Sequence, residues 1–305
     1  MNKLNTKMKK NLLQLTVGCA LALAMAPTVQ AQLIADDAFL TGGSNYTPGA
    51  ITGQNPTVTG FTGAWAQYAT GNDGSVSATP LSYSGTTGYV TTSGAGAMSD
   101  PISNSRTARA FDPSVSNAFA ATSGTVYMSF ELQLSSAAAN APYQAVELNS
   151  NPANDPTRFM QLGFAGTSTT DFASSTNFGV SLNSGAVKGT LGVADTNAHL
   201  FVIQLNLTAG TDTMNVWQDP TDITGATPTG GTEASLSGFT VANVPAFLDL
   251  ANFVGNGTGG TELGEFRIGD TLADIADVPE VPTSSLTLLG LGALVIVMVR
   301  RKMIA

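Results

Sequence analysis

The sequence predicts an all-β fold, two antiparallel sheets packed as a sandwich or jelly roll, and three observations carry that prediction. Gly (33 residues), Ser, Thr, Asn and Ala dominate the chain, whereas Lys and Glu, which favour surface helices, are scarce. Several short segments alternate apolar and polar residues with a period of two, the pattern of a half-buried strand. Turn-forming clusters separate them at short intervals, the spacing of sandwiches and jelly rolls. No useful apolar pattern of period 3.6 runs outside the two ends.

Taken in order, residues 1–31 read as a secretory signal peptide. Lys3, Lys7, Lys9 and Lys10 form a basic start, Leu12–Ala26 an apolar run, and Val29-Gln30-Ala31 a small-x-Ala cleavage site before Gln32. The only cysteine, Cys19, lies inside that run; Thr16 and the apolar Ala20–Ala26 stretch argue against a lipoprotein site. The domain proper, 32–277, therefore contains no cysteine, and packing alone must hold its core.

Ile34–Phe39 opens that domain and leads through a Gly/Thr/Pro-rich run to Phe61-Thr-Gly-Ala-Trp65-Ala-Gln-Tyr68. Residues 71–124 are poor in aliphatics. Asn72-Asp73-Gly74 reads as a hairpin turn there, and Leu81, Tyr83, Tyr89 and Val90 as short strands only. Thr125–Leu134 is the clearest strand: Val126, Met128, Phe130, Leu132 and Leu134 share one face, Tyr127, Ser129, Glu131 and Gln133 the other. Further strands are expected at Phe159–Phe164, Phe178–Leu182, His199–Leu207, Thr213–Trp217, Phe247–Phe253 and Leu263–Ile268. Thr271–Asp277 reads as one helical turn before a Pro-Glu linker.

The tail, 278–305, sets Pro279-Glu280 before an apolar stretch, Leu286–Val299, and a basic cluster, Arg300, Arg301 and Lys302. As a helix the apolar stretch is ~21 Å long against a hydrocarbon core of about 30 Å, so a transmembrane helix at about 284–299 is a marginal span. The basic cluster orients it with the residues before 280 outside the inner membrane.

The run Val278-Pro279-Glu280-Val281-Pro282-Thr283, followed by the helix and Arg300-Arg301, resembles the PEP-CTERM sorting signal of Gram-negative bacteria. The resemblance implies an exosortase-type transpeptidase as partner, after signal peptidase at the other end. In the family pattern the second proline follows Glu directly; here Val281 intervenes, and an ordinary C-terminal membrane anchor is the alternative. Three further stretches, His199–Pro220, Leu263–Ile275 and Phe61–Trp65, resemble a strand–turn–strand, the closing strand and the aromatic opening of laminin-G-like or concanavalin-A-like jelly rolls in PEP-CTERM surface proteins. This implies a fold more than an activity.

Charge and motifs narrow the function. All 21 acidic residues follow position 31, whereas only Arg106, Arg109, Arg158, Lys188 and Arg267 are basic between the terminal signals. That balance argues against nucleic acid as a partner. Some glucanases of the resembling fold carry two or three acids on one strand, but Glu131-Leu-Gln133 and Glu147-Leu-Asn149 each offer one, expected to be solvated. His199 is the only histidine, too few for a His-rich metal site, and no Gly-x-Ser-x-Gly elbow accompanies it. Gly255–Gly260 matches a dinucleotide-binding pattern but leads into a strand, so it reads as a hairpin loop. Asp36 or Asp37 and Glu265 or Asp270 would converge on a structural calcium site if the first and last strands pair, but no calcium-loop motif is present and scattered solubilising charge is the favoured alternative. Trp65, Tyr68 and Trp217 are candidate sugar-stacking residues, with core or rim packing as the commoner use of such side chains. The expectation is an exported, non-enzymatic envelope or matrix protein, with a carbohydrate-binding module, or a divergent glycan hydrolase or lyase, as alternatives.

Overall fold

The computed structural model describes residues 33–276 except 70–73, 93, 101–104, 139–142, 154–156, 167–171 and 254–259. The predicted signal peptide, the C-terminal helix and the sorting residues Val278, Pro279, Glu280, Arg300 and Arg301 lie outside the described residues, as do Asn72 and Asp73 of the predicted turn.

The first strands are β1 (Leu33–Asp37), β2 (Gly49–Ala50), β3 (Phe61–Gln67), β4 (Ser75–Ser77), β5 (Ala97–Asp100) and β6 (Ser105–Phe111), followed by helix α1 (Pro113–Phe119). Next come β7 (Gly124–Leu134), β8 (Tyr143–Asn149), β9 (Arg158–Ala165), β10 (Asn177–Leu182) and β11 (Val187–Val193). The chain continues through β12 (Ala198–Leu207), β13 (Asp212–Gln218), β14 (Thr232–Phe239), β15 (Phe247–Phe253) and β16 (Thr261–Gly269) to helix α2 (Leu272–Ile275).

All strand pairs are antiparallel and build two sheets. The first runs β14-β13-β12-β7-β16-β5-β4-β2, with β1 added to β16; the second runs β11-β10-β9-β8-β15-β6-β3. The chain is thus a two-sheet antiparallel sandwich of jelly-roll type. β7 supplies the core face its alternation predicted, since Val126, Met128, Phe130, Leu132 and Leu134 are all buried. Across the sandwich, Phe266 of the first sheet meets Phe61 and Phe111 of the second at centroid distances of 6.1 and 6.2 Å.

Three expectations are corrected. β15 and β16 belong to different sheets and are not partners of one hairpin, and residues 254–259 between them lie outside the described residues. Leu81, Tyr83, Tyr89 and Val90 form no strand; residues 78–92 cross the outer face of the first sheet as a strap, tied down by Thr87 N–H to the Thr221 carbonyl (2.8 Å) and Ile223 N–H to the Thr87 carbonyl (3.0 Å). The second face of β7 is consequently not solvated. Tyr127 packs with Leu200, Val202 and Ile223 under α2, with Tyr83 and Tyr89 of the strap against them. α2 itself is the expected helical turn, held by a Thr271–Asp274 capping box.

Candidate functional site

Two of the three candidate stacking residues are sealed. Trp65 is 1 % exposed, and its indole N–H donates to the Tyr46 hydroxyl at 2.8 Å. Trp217 lies across from Val202 on the outer face of the first sheet, yet is also buried. Rings so enclosed offer no face to a sugar. Tyr68 is the exposed one, set edge-on to Phe247.

The first and last strands do pair, Asp36 opposite Arg267 and Asp37 opposite Phe266, but three of the four acids predicted to bind calcium are engaged by arginines or a tyrosine. Asp37 is fully buried: it accepts from the Tyr46 hydroxyl and the Phe39 N–H, with Arg109 at 3.7 Å. Burial pushes its carboxyl up to about 6 against those hydrogen bonds. Asp36 faces Arg267 at 3.9 Å, Glu265 binds the same guanidinium at 2.7 Å, and Asp270 is exposed. Among the described residues no three His, Cys, Asp or Glu side chains are grouped to hold a metal ion.

Carboxylates that the spacing kept single are brought into contact by strand pairing. On the outer face of the second sheet Asp249, Glu147, Gln161, Ser181 and Lys188 are successive cross-strand partners. Arg106 bridges the first two, its Nη2 3.0 Å from Glu147 and its Nε 2.9 Å from Asp249. Asn149 donates to both at 3.0 Å, and Arg158 and the Tyr143 hydroxyl reach the other Glu147 oxygen. Glu147 and Asp249 are 0 % exposed, so the expectation of a solvated Glu147 is overturned. Two guanidiniums balance two carboxylates in this cluster, the arrangement buried ions require.

Glu131 is corrected in the same way. It is 0 % exposed under the strap and accepts from the Tyr89 and Thr91 hydroxyls. One strand over, Glu265 stands at a bulge of β16 with a left-handed backbone (φ 48°) and takes the Thr92 N–H at 2.7 Å. Burial pushes the Glu131 carboxyl up to about 7; the Tyr89 hydroxyl opposes this and the Glu265 charge adds to it. Arg267, 5.5 Å from the centre of the Tyr89 ring, closes the cluster.

The open polar feature near the strap is a groove lined by Ser82, Tyr83, Ser84, Gly85, His199 and Asp219. His199 is the second residue of β12, and it is no bystander: Nδ1 lies 2.6 Å from Asp219 and Nε2 3.0 Å from Asp195. Burial disfavours the imidazolium, yet the hydrogen bonds and charges of Asp219 and Asp195 outweigh it and raise the pKa above the ordinary 6.5. Sequence reasoning missed Asp219, Asp195 and Ser82–Gly85, because loop residues show no periodicity. Asp249 did leave a signal, a charge inside the apolar run Phe247-Leu-Asp-Leu.

No protein-family description and no curated protein matches the chain. Among solved structures it is similar to botulinum neurotoxin type C, described in a study of cell entry dependent on two ganglioside molecules, with 9 % identity and a TM-score of 0.43 over 80 % of this chain and 50 % of that one. It is also similar to the binding domain of botulinum neurotoxin DC in complex with rat synaptotagmin II, with 11 % identity and a TM-score of 0.44 over 75 % of this chain and 49 % of that one. The chain thus spans about half the length of these structures, and nothing about a ligand follows from likeness of this degree.

Proposed function

We propose that residues 32–277 form an exported, non-enzymatic β-sandwich that serves as a structural or adhesive component of the cell envelope or extracellular matrix. In this reading residues 1–31 direct export through signal peptidase. Residues 278–305 then hold the chain in the inner membrane until an exosortase-type transpeptidase releases it.

The observation that carries the non-enzymatic part is the Glu147–Asp249 pair. These are the neighbouring carboxylates a glycan hydrolase would need, and here they are enclosed and matched by Arg106 and Arg158. A glycosidase needs one carboxyl free to protonate a leaving oxygen and another free to reach the sugar. Both acids are instead committed to holding strands β6, β8, β9 and β15 together. Hydrolysis of a polysaccharide by the purified protein, abolished in Glu147→Gln, would overturn this reading.

Mass spectrometry of C-terminal peptides tests the sorting part. Material taken from the cell surface is expected to end near Glu280, whereas an intact Arg300–Ala305 end would exclude cleavage. Carbohydrate binding is the second reading, favoured by the open groove beside the strap.

A further inference from the structure

The groove offers groups that a glycan would use, held in place before any ligand arrives. Asp219 has a left-handed backbone (φ 51°), and its Oδ1 accepts the Leu200 N–H at 3.0 Å while Oδ2 faces His199. The carboxylate is thereby fixed without a flexible cation, and its side chain is 36 % exposed, leaving lone pairs open to the groove. Across from it Tyr83 is anchored by its hydroxyl to Thr86 Oγ1 at 2.6 Å and by an edge contact to Tyr89. Ser82 and Ser84 beside it are exposed.

Charge selects among occupants. Among the described residues no Lys or Arg lines the groove, and His199 stands between two carboxylates, so the local balance is neutral to negative. Phosphate, sulfate and uronate groups are therefore disfavoured. An apolar ring face beside a fixed acceptor and free hydroxyls suits the two sides of a hexose, C–H face and hydroxyl edge.

From this geometry we propose that the groove between Ser82–Gly85 and Asp219 binds a neutral polysaccharide, Asp219 accepting from sugar hydroxyls and Tyr83 packing on a sugar face. The proposal rests on the carbohydrate-binding reading above and assigns it residues other than Trp65, Tyr68 and Trp217.

The test is calorimetric titration of the full chain with a soluble neutral β-glucan and, separately, with alginate. Three forms are compared: wild type, Asp219→Asn, and Ser84→Arg, which sets a bulky cation across Asp219 from an exposed position. Binding of the glucan but not of alginate is expected, with each variant weaker by about tenfold or more and Ser84→Arg melting as wild type does. Glucan binding that neither variant changes would overturn the site and leave the carbohydrate reading standing. A preference for alginate would overturn the charge argument, and with it the proposal. No binding to either polymer would end both.

Discussion

Arg106 holds two buried carboxylates at once and also donates to the Pro152 carbonyl at 2.8 Å. Replacing it by Met keeps the volume but leaves Glu147 and Asp249 enclosed with half their balancing charge. Arg106→Met is therefore expected to cost about 3–5 kcal/mol, measured as a lower midpoint in urea unfolding. Asn149, which donates to both acids, cannot offset that loss because an amide carries no charge. Glu131 makes the opposite case, a buried acid most stable when protonated. Its folded value of about 7 lies above the ordinary 4.5, so its contribution is fully present below about pH 4.5 and lost as the pH rises through about 7. Glu131→Gln, which keeps the neutral shape, is expected to flatten the fall in Tm across that window.

At the scale of the element, the turn that leads into β3 presses on β1. Gly60 has φ +79°, and a Cβ placed there would lie 2.4 Å from both Ala35 Cβ and the Ile34 carbonyl. Gly60→Ala combines a left-handed backbone with a clash against a paired strand, so a loss of about 1–3 kcal/mol or more is expected, read by thermal unfolding. α2 is a single turn, and its place over β7 depends on its cap. Thr271→Ala removes the acceptor for the Asp274 N–H and should cost about 0.5–2 kcal/mol, with greater hydrogen-exchange at Ala276, whose N–H reaches the Leu272 carbonyl. Proteolysis confined to the α2 end would agree with that loss.

For the molecule as a whole, several titrating groups act with one sign. Asp37, raised by burial to about 6 from 3.8, contributes stability that is complete below about pH 3.8 and lost as the pH rises through about 6. His199, raised above 6.5 despite its burial, likewise contributes fully below about 6.5 and loses that contribution as the pH rises through its folded value. Surface acids oppose them only at lower pH: Asp112 and Asp222, depressed by the N–H groups of Ser114 and Thr224, lose their contribution as the pH falls through their folded values. The stability maximum is therefore expected near pH 4, with Tm falling toward pH 8, a profile that calorimetry would record. A flat profile would contradict the burial of Asp37 and Glu131. Cys19 is the only cysteine, so a reducing agent should leave Tm unchanged.

The alternation in Thr125–Leu134 and His199–Leu207 was legible in the sequence because side chains point to opposite faces every second residue, a property of the local backbone. With the turn clusters, it was enough to determine an all-β sandwich and most of its core. β6 escaped notice because its Ser-Arg-Thr-Ala-Arg-Ala-Phe run carries charges at positions that look solvated. Those charges are buried only because Arg106 meets acids 41 and 143 residues away in the chain, and Arg109 meets Tyr46. Which outer faces are covered was hidden for the same reason. Whether Glu131 faces water depends on a strap some 40 residues earlier, and whether Asp219 lines a groove depends on that strap's path. Hydropathy reports one residue and its neighbours, whereas burial and charge pairing belong to contacts that only the closed sandwich brings about.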